Sequence, residues 1–190
     1  KYREAQKIYI NLLKKNNNNF LLHNLIGTTY LQLGYYDEAI NYLRKSIQLN
    51  PEFVENFNNI GIAYAEKKEF IQALKYYEKA IKLKKDFFSA HLNKGISLKN
   101  LKKFDLAIKS LEICIKINPN NAQIYLNLGN IFVNLKKYKD AKILFDKAIK
   151  LNEKYGEAYS NRGELLQLHL KQTGLAIKDY EKALIYKDKL

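Results

Sequence analysis

The sequence predicts an all-α chain, a solenoid of stacked helical hairpins, and three observations carry that prediction. Apolar residues recur three and four apart, as a helix burying one face requires. In residues 121–152 they fall at Tyr125, Leu128, Ile131, Phe132 and Leu135, then at Tyr138, Ala141, Leu144, Phe145, Ala148 and Ile149. Lys136 and Lys137 stand between the two runs, so each unit reads as two amphipathic helices joined by a short polar turn. The unit is also written again every 34 residues: Gly27, Gly61, Gly95, Gly129 and Gly163 stand in register, as do Ala39, Ala73, Ala107 and Ala141. One hairpin cannot bury its own apolar face, so its neighbours must.

Counting repeat positions from Phe20, Val54, Phe88, Ala122 and Gly156, position 8 is always Gly. Position 20 is always Ala, including Ala5 and Ala176, and position 17 is aromatic at Tyr2, Tyr36, Phe70, Phe104 and Tyr138. Position 32, the turn between units, is Pro51 and Pro119 but Lys85 and Glu153 elsewhere. This pattern resembles the tetratricopeptide repeat over almost the whole chain. The resemblance implies a right-handed superhelical solenoid whose concave face is lined mainly by the first helix of each unit. Glycine at position 8 is expected where the first helix crosses its partner, since a side chain there would hold the two backbones apart.

The elements follow in order. Residues 1–19 supply a lone second helix, 2–15, and an Asn run at 16–19 that suits a turn. Complete repeats occupy 20–53, 54–87, 88–121 and 122–155, with helices expected at 21–33, 36–49, 51–67, 70–83, 88–101 and 104–117 before the fourth unit. The fifth repeat, 156–190, carries one extra residue, placed around 171–174 because Gly163 and Ala176 stand one residue further apart than Gly129 and Ala141. Its last helix, 173–187, still shows a repeat-like apolar face with Tyr180, Ala183 and Leu184. The chain therefore reads as a piece of a longer protein, and its exposed end as a surface that is continued, covered by another molecule, or paired end to end with a second copy.

Composition narrows the function. The 190 residues are 47% hydrophobic, ordinary for a folded domain, and no apolar run reaches the length of a membrane span. One cysteine, Cys114, excludes an internal disulfide and favours a reducing compartment, cytoplasmic or nuclear. The net charge is +14, yet the first-helix windows, positions 1 to 14, hold four basic residues (Lys67, Lys94, Lys99, Arg162) against four acidic ones (Glu55, Glu66, Glu157, Glu164). The excess falls on second helices, turns and termini, leaving a neutral inner face. Nucleic acid, which needs clustered cations on one continuous face, is disfavoured.

Asparagine dominates that inner face. Asn59, Asn93, Asn127 and Asn161 occupy position 6, and a side-chain amide both donates and accepts, so such a series suits the backbone of an extended peptide. It resembles the asparagine ladder in the repeat arm of O-linked N-acetylglucosamine transferases. The same amides also suit hydrogen bonds to a neighbouring helix. With Asn24, Asn58, Ile62, Leu92, Ile96, Leu126, Asn130, Ser160 and Glu164 they form the candidate peptide-binding trough, apolar and amide-lined in the middle and acidic towards Glu157 and Glu164. A partner with aliphatic anchors and a basic residue would suit it. The two-carboxylate clamp of chaperone-binding family members is missing, since position 5 is never Lys and position 2 offers no cation.

Catalysis, cofactor and metal find no support. His23 and His91 sit at position 4 two units apart, about 20 Å if packed helices stand about 10 Å apart. Phe57, Tyr125 and Tyr159 fill position 4 elsewhere, so both histidines read as packing residues, and Cys114 as a small buried one. Lys94 and Arg162 break the apolar habit of position 7, with snorkelling as the mild account. The segment is thus expected to be a non-enzymatic scaffold for a peptide or partner protein. The alternative is the non-catalytic arm of a larger glycosyltransferase, kinase or phosphatase.

Overall fold

The computed structural model describes residues 2–187, and these fold into helices and turns alone. They divide after Lys103 into two compact units. In the first unit α1 (Tyr2–Lys15) packs on α2 (Phe20–Gln32), which pairs with α3 (Tyr36–Leu49). The hairpin of α4 (Val54–Glu66) and α5 (Phe70–Leu83) follows, and α6 (Phe88–Asn100) closes on α5. In the second unit α7 (Phe104–Ile117) packs on α8 (Ala122–Asn134), the partner of α9 (Tyr138–Leu151). Last come α10 (Gly156–Leu168) and α11 (Thr173–Lys187). The first helices α2, α4 and α6 lie side by side in one unit, as do α8 and α10 in the other.

In the hairpins α2/α3, α4/α5, α8/α9 and α10/α11 the apolar stripe closes over the position-8 glycine. A Cβ built on Gly61 would stand 2.6 Å from Cδ1 of Tyr77, and one on Gly129 2.6 Å from Cδ1 of Phe145. Gly27 lies 2.7 Å by the same measure from Cγ of Leu43, and Gly163 2.9 Å from Cε1 of Tyr180. The large residue at position 24 therefore occupies the volume the glycine vacates. Tyr77, Phe145 and Leu43 are fully buried there, each backed by the position-20 alanine of its own helix.

The turns repeat as closely as the core. Between the two helices of each hairpin one residue takes left-handed backbone: Gly34 at φ 81°, then Lys68, Lys102, Lys136 and Lys171 at φ between 54° and 62°. After the first four of these the next backbone N–H bonds five residues back, as in Glu69 to Tyr64 at 2.8 Å and Lys137 to Phe132 at 2.9 Å, and after Lys171 that of Gln172 bonds six back, to Leu166 at 2.9 Å, satisfying carbonyls that the helix end leaves open. In the last hairpin the linker is four residues, 169–172, and the left-handed residue moves to Lys171. Between repeats, asparagine side chains close the turn: Oδ1 of Asn50, Asn118 and Asn152 accepts the N–H of Glu52, Asn120 and Lys154. That turn delays the start of α4 to Val54, so the helix expected from residue 51 begins three residues later.

Candidate functional site

The trough residues sit on the first helices, and several of their amides bond across to the adjoining first helix. Asn24 is 8% exposed and buried in a relay. Its Nδ2 donates to Asn56 Oδ1 at 2.9 Å, Asn56 Nδ2 to Ser46 Oγ at 2.8 Å, and Ser46 Oγ to the Phe20 carbonyl at 2.7 Å. The relay ties α2, α3 and α4 together. A second chain of bonds crosses α6, α4 and α2 nearer the surface. Asn93 Nδ2 donates to Asn58 Oδ1 at 3.0 Å, Asn58 Nδ2 reaches Asn59 Oδ1 at 3.5 Å, Asn59 Nδ2 reaches Thr28 Oγ1 at 3.4 Å, and Thr28 donates to the Asn24 carbonyl at 2.9 Å.

The second unit treats its asparagines the same way. Asn161 Nδ2 donates to Asn130 Oδ1 at 2.9 Å, joining α10 to α8, while Asn127, buried, donates to the Gln123 carbonyl of its own helix at 2.9 Å. The position-6 amides thus spend a donor on helix-to-helix or intrahelical bonds. Asn93 and Asn161 keep a side-chain carbonyl oxygen without a partner among the described residues. Leu92 and Leu126 are buried, Ile62 and Ile96 half-buried, Ser160 and Glu164 exposed.

Lys94 turns away to donate to Glu78 of α5 at 2.9 Å. Arg162 turns away likewise, forking onto Asp179 at 2.6 and 2.7 Å and reaching Asp146 at 2.6 Å. Glu78 and Asp146 hold the same repeat position, 25, so both cations at position 7 answer an acid on the preceding second helix. The Asp179 and Asp146 bonds hold the Arg162 guanidinium above its ordinary pKa against the opposing effect of burial. Lys67 bonds Asp37 at 2.6 Å and Glu69 at 3.2 Å. Glu55, Glu66, Glu157 and Glu164 stay exposed and, among the described residues, outside any ion pair. Lys67, Lys94 and Arg162 are thus each engaged by acids outside the first-helix windows, whereas those four glutamates have no such partner.

Between α8 and α10 the trough deepens into a pocket of about 170 Å³, with Phe145 and Leu165 as its floor and Val133 on its wall. Asn130, Asn161, Glu164 and His169 complete its lining. The His169 ring is stacked on Tyr138, centroids 4.1 Å apart and 6° from parallel. Sequence periodicity marks Asn130, Val133, Asn161 and Glu164, but not His169, which the four-residue linker carries into place. On α5, Lys75, Lys79 and Lys82 lie exposed beside Tyr76, around a shallow depression.

The histidines and the cysteine have structural neighbours. Nε2 of His23 lies 2.9 Å from the Asn17 carbonyl, and Nε2 of His91 2.9 Å from that of Lys85; a carbonyl accepts, so Nε2 carries the proton. Tyr125 Oη donates to the Pro119 carbonyl at 2.8 Å. All three close the inter-repeat turn from position 4. Cys114 is fully buried, and burial pushes its thiol up to about 12, so little thiolate forms at neutral pH. No grouping of His, Cys, Asp and Glu suited to a metal ion occurs among the described residues, and no helix there is long and apolar enough to cross a membrane.

Comparison with known proteins agrees with this architecture. Among curated proteins none is similar enough to be counted a relative. Several solved structures share the fold. MamA from Desulfovibrio magneticus RS-1, residue 41 to its end, is 22% identical with a TM-score of 0.75, covering 90% of this chain and 96% of that one. A chain of the APC/C hetero-tetramer Cut9-Hcn1 is 22% identical at TM-score 0.86, covering 98% of this chain and 37% of the other. YrrB, described as a TPR protein with an unusual peptide-binding site, is 16% identical at TM-score 0.68 over 96% and 93%. At these identities the likeness is one of fold alone. Sequence profiles of the tetratricopeptide repeat match residues 22–53 and 88–121 in one form and 54–87 and 122–155 in another. With matches across 22–155 falling on hairpins whose glycines and turns recur in the same places, the chain belongs to the tetratricopeptide repeat family.

Proposed function

We propose that the chain is a protein-interaction scaffold that holds an extended stretch of a partner polypeptide along its first-helix face. The observation that carries this reading is the state of that face: exposed glutamates without ion pairs, half-buried isoleucines, and amide oxygens left open once the donors have joined the helices. An extended peptide supplies what these groups lack, namely backbone N–H donors, aliphatic side chains and positive charge. YrrB, of the same fold, has a peptide-binding site, which supports the reading by analogy. Asn24 and Asn127 are engaged in bonds of the fold, and the proposed binding surface consists of Asn59, Ile62, Asn93 and Ile96 in the first unit and, separately, of Asn130, Ser160, Asn161 and Glu164 in the second.

Selection of random peptides displayed on phage against the purified chain tests this. Glu66→Arg and Ser160→Arg, both at exposed positions, should abolish capture of the enriched peptides, while Lys75→Glu with Lys79→Glu on the outer face of α5 should leave it intact. Failure to enrich any peptide, or the opposite response of the two variant sets, would remove the proposal.

A further inference from the structure

We infer that the pocket between α8 and α10 takes a lysine or arginine side chain of the bound partner, an anchor site that rests on the peptide-binding reading above. The pocket is apolar below and polar along its rim. Phe145, Leu165 and Val133 offer a surface for a methylene stem, and Glu164 stands at the rim with an exposed carboxylate. Asn161, which also lines the pocket, has its Nδ2 bonded to Asn130 and keeps its side-chain oxygen as a second acceptor. Long cationic side chains lay their stems on apolar surface and keep the charged head where acceptors and water remain. Glu164 has no ion-pair partner among the described residues, Arg162 being bonded to Asp146 and Asp179 instead. A carboxylate head would meet like charge at Glu164, and a neutral amide head would donate a bond there without adding the attraction of opposite charges.

Short immobilised peptides with a leucine and serine background, each carrying Lys, Arg, Gln or Glu at one stepped position, separate the possibilities. The wild-type chain should prefer Lys or Arg to Gln by up to about fivefold at one position, the upper end of what an exposed ion pair adds. Glu164→Gln should erase that preference while retaining peptides that lack a cation. Glu55→Gln, which removes the same charge from the first unit, should preserve it. Binding with no cation preference, or a preference that survives Glu164→Gln, overturns the anchor site and leaves peptide binding standing. If no peptide of any kind binds, both readings fall together.

Discussion

Three glycines in this chain should respond to one chemical change with opposite signs. At Gly61, alanine places a methyl group 2.6 Å from Cδ1 and 3.0 Å from Cζ of Tyr77, a ring that is 1% exposed and has no room to swing away. Overpacking of this kind costs about 1–3 kcal/mol, and the better helix propensity of alanine returns about 1 kcal/mol. Gly61→Ala should therefore lose up to about 2 kcal/mol. At Gly174, in the first turn of α11, nothing lies within 4 Å, so alanine should gain up to about 1 kcal/mol. Gly34 also has open space, but its φ of 81° makes Gly34→Ala cost about 1 kcal/mol through backbone strain alone. Urea unfolding followed by circular dichroism ranks the three. Because repeat arrays unfold in stages, hydrogen exchange should also place the Gly61 loss in α4 and α5. A cycle with Tyr77→Ala isolates the contact: without the ring, the Gly61 step should lose most of its cost. A Gly61→Ala chain at least as stable as wild type, with no coupling to Tyr77, would refute the idea that glycine is there to seat the ring.

Lys136→Gly should stabilise the second unit by about 1 kcal/mol, since lysine bears left-handed backbone at φ 59°, and a urea midpoint no higher than wild type would count against this. Arg162→Leu strands the nearly buried Asp179 carboxylate and should cost about 3 kcal/mol, most of it restored when Asp179→Leu is added; thermal melts of both variants check it. Burial raises the Cys114 and Tyr155 values from 9.0 and 10.0 to about 12, so both groups ionise earlier in the unfolded chain. Stability should be full below pH about 9 and fall as pH climbs towards 12, while iodoacetamide at pH 8 labels Cys114 only as fast as the chain opens; rapid labelling of folded protein would contradict the burial.

Much of the fold could be read from the residues because the repeat pattern averages over copies. A glycine or alanine recurring every 34 residues reports a crossing that no single helix would reveal, and the 3.6-residue stripe says which side is buried. Trough positions could be listed the same way, since residues three and four apart share a helical face. Their roles could not. Whether Asn93 offers its amide to a ligand or to Asn58 depends on a side chain 35 residues away, and Lys94 and Arg162 lost their puzzle only when Glu78 and Asp146 came within bonding distance.

The order of helices, the spacing of hairpins, the membership of the family and the buried status of Cys114 were thus determined by the sequence itself, because local periodicity and repetition encode them. Tertiary structure alone decided which amides are consumed in joining helices, which cations pair with acids on second helices, and that His169 lines a pocket together with Glu164. The physical reason is range. Helix formation and burial depend on neighbours within a turn or two, whereas hydrogen bonds and ion pairs are made by whatever folding brings within about 3 Å, however distant along the chain.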